Sequence, residues 1–156
     1  MTLTLDLKHD THATIVSCYA PTISRPEQEK DDFYQHLREV IASVRHKDKL
    51  VLMGDFNARV GADYHSWGGV LGHHGVGRMN ENGLRLLSLC REFDLTITNT
   101  LFQQKNNRKT TWRHPRSNDW HMIDYVITKR RDVCDFKITR SFHTSCYLSD
   151  HALLHR

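Results

Sequence analysis

The chain has 156 residues, which is enough for one domain and too few for two. Its formal net charge at pH 7 is +4, and its mean hydropathy is −0.59 with 38% hydrophobic residues. No apolar run reaches the ~18 residues of a membrane span, and no signal peptide is visible, so we expect no membrane association.

The first half of the chain predicts a strand, a helix and a second strand. Residues 13–19 form the first strand after a hairpin-like segment, Met1 to Asp10. Ser24 is placed to cap a helix together with Glu27, the spacing of a capping box. An apolar stripe at helical spacing follows, and a strand over 50–56 comes next. The stripe consists of Phe33, Leu37, Val40, Ile41 and Val44.

The second half begins with a long loop, because six of the eight glycines lie between Gly61 and Gly77. A second helix then starts at Asn80 or Asn82 and runs through Phe93. We expect it to bury Leu84, Leu87 and Cys90. Strands are predicted at 95–99, 109–113, 122–128 and 135–141. Strands separated by helices, followed by late strands, indicate a two-layered α/β sandwich.

The most informative motif is Gly54-Asp55-Phe56-Asn57, directly after the apolar run Leu50 to Met53. On an extended backbone, Asp55 and Asn57 point to the same side. An acid and an amide at the end of a buried strand place a proton acceptor and a hydrogen-bond donor in a cleft. Four residues taken alone favour an ordinary strand-to-turn segment, and the other motifs of the chain overturn that explanation.

Three further motifs carry polar residues at strand ends. They are Tyr19-Ala20-Pro21, Ile123-Asp124-Tyr125 and Ser149-Asp150-His151. Each taken singly has an ordinary structural explanation: Tyr19 as a core residue, Asp124 as an acid paired to an Arg, and Asp150-His151 as a turn. Together, four such sites in one short chain predict that the strands converge on a common cleft.

These four motifs, in this order, resemble the endonuclease/exonuclease/phosphatase superfamily. The chain is most similar to the apurinic-type endonuclease domain of LINE-type retrotransposons. The stretch from Lys109 to Tyr125 also resembles proteins of the craniofacial development protein 2 group. The resemblance implies a deoxyribonuclease-like α/β sandwich. It also implies that residues 1–156 form the C-terminal portion of the domain, without the N-terminal strands that supply an Asn and the chief metal-binding Glu.

The same resemblance implies a role for each motif in phosphodiester hydrolysis. Asp55 would accept the proton of the attacking water, and Asn57 would hold that water or the phosphate. Asp124 would orient His151, which would donate to a phosphate oxygen, and Tyr19 would hydrogen-bond the phosphate. Asp150 and Asp55 would bind Mg²⁺ or Mn²⁺, which takes oxygen ligands. Without the Glu, we expect weak metal binding and impaired activity.

The expected partner is DNA. Residues 105–140 hold ten Lys or Arg against four acids, with two tryptophans among them. Basic residues interleaved with aromatics suit a polyanion whose bases can stack. A solvated charged face around core tryptophans is the alternative. The expected nucleic-acid-binding residues are Lys109, Trp112, Arg113, Arg116 and Trp120.

Two alternatives to a DNA endonuclease stay open. One is a non-catalytic remnant that binds nucleic acid or protein, and the other is a phosphatase acting on lipid or inositol phosphates. The four cysteines show no CxxC spacing, and three lie in apolar contexts. We therefore expect reduced thiols and an intracellular, nuclear location.

Overall fold

A computed structural model describes residues 1–142 and 153–155. The described residues form two helices, α1 (Glu27–Ser43) and α2 (Glu81–Glu92). They also form nine strands: β1 (Thr2–Asp6), β2 (His12–Tyr19), β3 (Lys49–Asp55), β4 (Leu95–Ile97), β5 (Trp112–Arg113), β6 (Trp120–His121), β7 (Asp124–Lys129), β8 (Arg140–Phe142) and β9 (Leu153–His155). Short 3₁₀ turns lie at Thr98–Thr100, Asn106–Arg108 and Arg130–Asp135.

The centre of the fold is a five-stranded mixed sheet in the order β1-β2-β3-β7-β4. The β2 and β3 strands run parallel and are joined through α1, whereas the other neighbours are antiparallel. Two short antiparallel pairs, β5–β6 and β8–β9, lie outside this sheet. The predicted α/β class and the hairpin entering β2 are confirmed.

Both helices pack on one face of the sheet. The alternate β3 residues Leu50 and Leu52 are fully buried there, together with Tyr125 and Ile127 of β7. The predicted stripe of α1 faces this core, since Leu37 and Ile41 are buried and its other members are partly buried. In the described part of the chain, neither helix is long and apolar enough to cross a membrane.

The opposite face of the sheet is apolar but only partly covered by described residues. Val51 and Val126 are buried there under Phe136, and Phe102 packs nearby. At the sheet edge, Leu3 of β1 remains 52% exposed.

Two local predictions for the helices were wrong. Ser24 does not cap α1, because the helix begins after Pro26 and its N-cap makes no side-chain hydrogen bond. The Ser24 hydroxyl lies 3.1 Å from that of Thr22 instead. In α2, Leu84 is 45% exposed and Leu86 is buried instead, whereas the predicted burial of Leu87 and Cys90 is confirmed.

The late strands also differ from their predicted bounds. The predicted strand over 109–113 is reduced to β5, which pairs with β6 in a hairpin that the sequence did not predict. The predicted strand over 135–141 is reduced to β8, since Asp135 belongs to a 3₁₀ turn and residues 136–139 are not in a strand.

Candidate active site

Three of the predicted site residues lie side by side across the sheet. Tyr19 at the end of β2 is the register partner of Asp55 at the end of β3, and Asp55 is the register partner of Asp124 at the start of β7. Directly paired residues of neighbouring strands point to the same face of a sheet. The row Tyr19–Asp55–Asp124 therefore faces away from the helices, since Cys18 and Tyr125 next to it point into the helical core.

The turn after β3 fixes how Asp55 and Asn57 are presented. The Asn57 N–H donates to Asp55 Oδ1 at 2.8 Å, so one carboxylate oxygen is held by the local backbone. Asn57 has a φ of +46°, a left-handed conformation that asparagine tolerates better than most residues. Its side-chain amide donates to the Ala20 carbonyl oxygen at 2.8 Å. The motif after β3 is thereby tied to the motif after β2.

Gly54 is required by the close approach of β2 and β3. Its φ is +137°, a value open in practice only to glycine. A Cβ at this position would overlap the backbone carbonyl oxygen of Cys18. The glycine therefore permits the strand spacing that aligns Tyr19 with Asp55.

Two asparagines at the N-terminus of α2 form hydrogen bonds with the segment that follows β3. The Asn80 side-chain oxygen accepts from the N–H groups of Gly83 at 2.8 Å and Arg59 at 2.9 Å. Asn82 is buried, and its side-chain amide donates to the carbonyl oxygens of Asn57 at 2.9 Å and Pro21 at 3.1 Å. The expected helix cap at Asn80 is confirmed, and Asn82 adds a link to both site loops.

Asp124 is positioned through its backbone. Its N–H and that of Ile123 both donate to Thr111 Oγ1, at 3.2 and 3.1 Å. The Asn99 side chain bonds on both sides of Tyr125, donating to the Asp124 carbonyl at 3.2 Å and accepting from the Val126 N–H at 2.9 Å. The start of β7 is therefore fixed by polar side chains from two other segments.

Tyr125 connects β7 to the loop after Asn57. Its ring is fully buried, and its hydroxyl lies 2.6 Å from the Met122 carbonyl oxygen and 2.9 Å from that of Ala58. Burial raises the pKa of this phenol, so it stays protonated at any physiological pH.

The predicted nucleic-acid residues surround the β5–β6 hairpin, next to Asp124. Trp112 is half-buried and stacks on His121 with ring centroids 6.0 Å apart. Trp120 is 41% exposed, and Arg113 and Arg116 are exposed. Neither tryptophan is thus a fully buried core residue.

The basic surface expected over residues 105–140 is divided in two. Lys129, Arg130 and Arg131 lie at the far end of β7, about 17 Å from Asp124 at the usual strand rise. There Lys129 donates to three backbone carbonyls at residues 45, 46 and 48, and Arg130 pairs with Asp94. These cations stabilise the fold at that end, which leaves the hairpin as the basic region beside the row.

A further cation, Arg59, lies close to the hairpin. Burial, followed by the charge of Arg59, lowers the pKa of His121 from its usual value. His121 is therefore neutral at pH 7, and its ring can both donate and accept a hydrogen bond. Arg59 follows Asn57 by two residues.

The described residues contain no group of three or more His, Cys, Asp or Glu that could hold a metal ion. They do offer Asp55 and Asp124 as register partners, and Mg²⁺ can be bound by one or two carboxylates with several waters. These two side chains are therefore ligands of the type that Mg²⁺ prefers, and they are few in number. The predicted Asp150 and His151 lie outside the described residues, and so does the expected Asp124–His151 contact.

Sequence reasoning missed the residues that hold the site rather than form it. These are Asn82, Asn99 and Thr111. The cation Arg59, whose charge acts on His121, was missed as well. A signal existed for Asn82, because the repeated asparagines at 80 and 82 exceed what one helix cap needs. No local pattern marks Asn99 or Thr111, whose partners are distant along the chain.

Comparisons with known proteins agree on one family. A sequence model described as endonuclease–reverse transcriptase matches residues 13–155. Craniofacial development protein 2 from Bos taurus is 36% identical over 141 residues, and the same protein from Tragulus javanicus is 35% identical. Each alignment covers 90% of this chain, and the chain spans 24% of the length of these curated relatives.

Solved structures share the fold at low sequence identity. The endonuclease domain of TRAS1, a telomere-specific non-LTR retrotransposon, has a TM-score of 0.67 and 15% identity, over 98% of this chain and 60% of that one. The 3′ phosphatase NExo from Neisseria, bound to a product DNA hairpin, has a TM-score of 0.64 and 19% identity, over 98% and 62%. An endonuclease/exonuclease/phosphatase family protein from Leptotrichia buccalis has a TM-score of 0.59 and 14% identity, over 98% and 50%. The predicted deoxyribonuclease-like fold class is confirmed.

Proposed function

Because the chain belongs to the endonuclease–reverse transcriptase family of the endonuclease/exonuclease/phosphatase superfamily, we propose that it is a retrotransposon-type endonuclease domain that hydrolyses phosphodiester bonds in DNA. The observation that carries the proposal is the alignment of Tyr19, Asp55 and Asp124 in one row on one sheet face. A phosphodiester needs a proton acceptor for water and donors for its oxygens, and this row offers both kinds of group.

Asp55 is the proton acceptor in this proposal. Its Oδ1 accepts a hydrogen bond from the Asn57 N–H at 2.8 Å, which orients the carboxylate. Tyr19 is 74% exposed, so its hydroxyl is open to a phosphate oxygen from solvent. The Asn57 amide uses one proton on Ala20, and the amide has a second for water or phosphate.

His151, oriented by Asp124, is the proposed donor to a phosphate oxygen. An imidazole beside a carboxylate holds its proton to higher pH than a free one, which suits a donor near neutral pH. Mg²⁺ would be held by Asp55 and Asp150. When bound, it neutralises charge on the phosphate.

DNA is the proposed partner, and the proposed site of contact is the β5–β6 hairpin. Arg113 and Arg116 are exposed beside Trp112, and Lys109 precedes the hairpin. Binding through such residues falls steeply with salt, because each phosphate contact releases counterions. The NExo structure, which holds a product DNA hairpin, supports nucleic acid as the ligand class.

A plasmid-nicking assay with Mg²⁺ tests the catalytic proposal. We expect slow nicking by the 156-residue chain, since Asp55 and Asp150 are a small ligand set for Mg²⁺ and the described residues hold no three-residue metal-binding group. Asp55→Ala and His151→Ala should reduce that rate to background. Asp63→Ala, at an acid in the long loop, is the matched control. Equal nicking by the chain and its Asp55→Ala variant contradicts the proposal.

The second candidate is a non-catalytic domain that binds nucleic acid or protein. The observation favouring it is the absence of a three-residue metal-binding group among the described residues. Salt-dependent DNA binding that is lost in Arg113→Glu with Arg116→Glu, together with no nicking at any Mg²⁺ concentration, would select it.

A further inference from the structure

Arg59 is a half-buried arginine whose guanidinium makes no ion pair within the part of the chain that the structure describes. Other described arginines do pair with an acid: Arg25, Arg38, Arg45, Arg85, Arg130 and Arg131. Withdrawing a cation from water without a counter-charge costs free energy. The Arg59 charge is therefore open to an anion that comes from outside the chain.

The backbone of Arg59 is fixed to the N-terminus of α2. Its N–H donates to Asn80 Oδ1 at 2.9 Å, and its carbonyl oxygen accepts from the Asn80 N–H at 3.0 Å. Gly83, in the first turn of α2, packs so closely that a Cβ there would overlap the Arg59 carbonyl oxygen. The backbone that carries the guanidinium is thus held on two sides.

The same helical turn fixes Arg59 relative to Asp55. The Asn57 N–H donates to Asp55 Oδ1, and the Asn57 carbonyl oxygen accepts from the Asn82 amide at 2.9 Å. Arg59 follows Asp55 by four residues, so their Cα atoms are at most about 14 Å apart. Successive phosphates of one DNA strand are about 3.4 Å apart along the helix axis. A strand with one phosphate at Asp55 can therefore present another, within about four nucleotides, to Arg59.

On its other side, Arg59 lies beside the β5–β6 hairpin, because its charge acts on His121 of β6. The His121 carbonyl oxygen accepts from the Thr111 N–H at 2.8 Å, and the Thr111 hydroxyl accepts from the Asp124 N–H at 3.2 Å. One threonine thus connects the strand beside Arg59 to the start of β7. Arg59 therefore lies between the turn after β3 and the hairpin.

We propose that the Arg59 guanidinium binds a backbone phosphate of the DNA strand that lies across the active site. A guanidinium can donate two parallel hydrogen bonds to one phosphate, which adds orientation to charge. The inference rests on the proposed function and adds a residue that positions the strand between Asp55 and the hairpin. A phosphate contact sets the register of a strand and reads no base.

The first test is the salt dependence of DNA binding, measured by fluorescence anisotropy in EDTA. The probe is a labelled duplex of about 20 base pairs. Arg59→Gln should weaken binding about tenfold at low salt, the order of one hydrogen bond to a charged group. It should also lower the slope of log affinity against log salt by about one unit. The loss should be equal for duplexes of different sequence, since no base is read.

Two further variants separate the contact from net charge and from folding. Arg59→Lys should restore the salt slope without the full affinity, because lysine keeps the charge and lacks the planar fork. Arg130→Gln is the matched control: it removes an exposed arginine at the far end of β7, and we expect a parent-like slope. Circular dichroism checks that each variant is folded.

The His121 imidazole reports on the same position independently of affinity. Burial is the largest cause of the lowered pKa of His121, and the charge of Arg59 is the next. Asp119 acts in the opposite direction, and His114 lowers the pKa further. In an NMR titration, Arg59→Gln should therefore raise the pKa of His121 in the free chain. Bound DNA should raise it in the parent, because a phosphate offsets the Arg59 charge.

The outcomes separate this inference from the proposed function. An unchanged pKa of His121 in free Arg59→Gln would place the two groups apart and overturn the position assigned to the guanidinium. A parent-like salt slope in Arg59→Gln, in a parent chain that binds and nicks DNA, overturns the phosphate contact and leaves the nuclease proposal standing. A parent chain that binds no DNA at low salt overturns both the contact and DNA as the partner.

Discussion

The side-chain amide of Asn82 donates to the backbone carbonyl oxygen of Asn57 at 2.9 Å. This bond joins the first turn of α2 to the turn that presents Asp55. A second bond from the same amide, to Pro21 at 3.1 Å, reaches the loop after β2. One buried side chain thus holds both loops that flank the row of site residues.

Asn82→Ala should destabilise the fold by about 1–3 kcal/mol, because two carbonyl oxygens lose their donor inside the protein. Asn82→Asp should be no better, since a carboxylate has no N–H to donate. Urea unfolding followed by circular dichroism measures both. Gln103→Ala, at an exposed amide, should stay within about 0.5 kcal/mol of the parent. Equal midpoints for Asn82→Ala and the parent would remove Asn82 from its linking role.

Gly54→Ala tests the spacing of β2 and β3. The added Cβ would overlap the Cys18 carbonyl oxygen, so the strands must move apart or the chain must fail to fold. Gly77→Ala is a matched control, since Gly77 also has positive φ but an open surrounding. Gly77→Ala should lower the free energy of unfolding by about 1 kcal/mol from backbone strain alone. Gly54→Ala should lower it clearly more. Thermal melting curves of similar midpoint for the two would contradict the steric argument.

The strand-end row could be predicted from the sequence because each motif follows, or is embedded in, an apolar strand-like run. Asp55 follows Leu50 to Met53, and such runs predict buried strands whose ends meet at one edge of a sheet. The stripe of α1 was predicted on similar grounds, since helical spacing is visible within one segment.

Some features that the sequence did not predict depend on contacts between distant segments. Others depend on which of several nearby residues takes a cap or core position. The hydroxyl of Thr111 bonds to backbone 13 residues away, and no local pattern reports this. Ser24 has the spacing of a cap, but Pro26 is the N-cap residue, and its fixed φ suits the entry to the helix. Leu84 fits the apolar periodicity of α2, yet it is 45% exposed and Leu86 is buried instead.

Tyr125→Phe should destabilise the protein by about 1–3 kcal/mol, because the Met122 and Ala58 carbonyls lose their shared hydroxyl in a buried site. Tyr34→Phe is the control. The Tyr34 hydroxyl makes a single long contact, 3.5 Å from the Asn82 carbonyl, so its removal should cost less. Denaturant unfolding compares the two variants, and a larger loss in Tyr34→Phe would refute the ranking.

Acid should weaken the end of the sheet where β2 and β3 begin. The hydrogen-bonded Arg45 guanidinium lowers the pKa of Asp48 to about 2 from an ordinary 3.8, and the His12 N–H also donates to this carboxylate. Since the folded pKa is depressed, the stabilisation is complete above pH 3.8 and is lost as pH falls toward 2.

Unfolding midpoints measured across that window should fall less steeply for Asp48→Asn than for the parent. Arg45→Gln should also flatten the slope, since it removes the main cause of the shift. The double variant should flatten the pH slope little more than either single variant, because both substitutions remove the same Arg45–Asp48 pair. Parallel pH profiles for the parent and Asp48→Asn would exclude this linkage.

Mg²⁺ should stabilise the folded chain through Asp55. A ligand that binds only the native state raises stability with its concentration, by ~1.4 kcal/mol at ten times its dissociation constant. The small donor set predicts weak binding, so the melting temperature should rise only at millimolar Mg²⁺ and return with EDTA. Asp55→Asn should remove the rise, and Asp63→Asn, in the long loop, should keep it. If Asp55→Asn retains the full shift, Mg²⁺ binds elsewhere and the row Tyr19–Asp55–Asp124 is not its site.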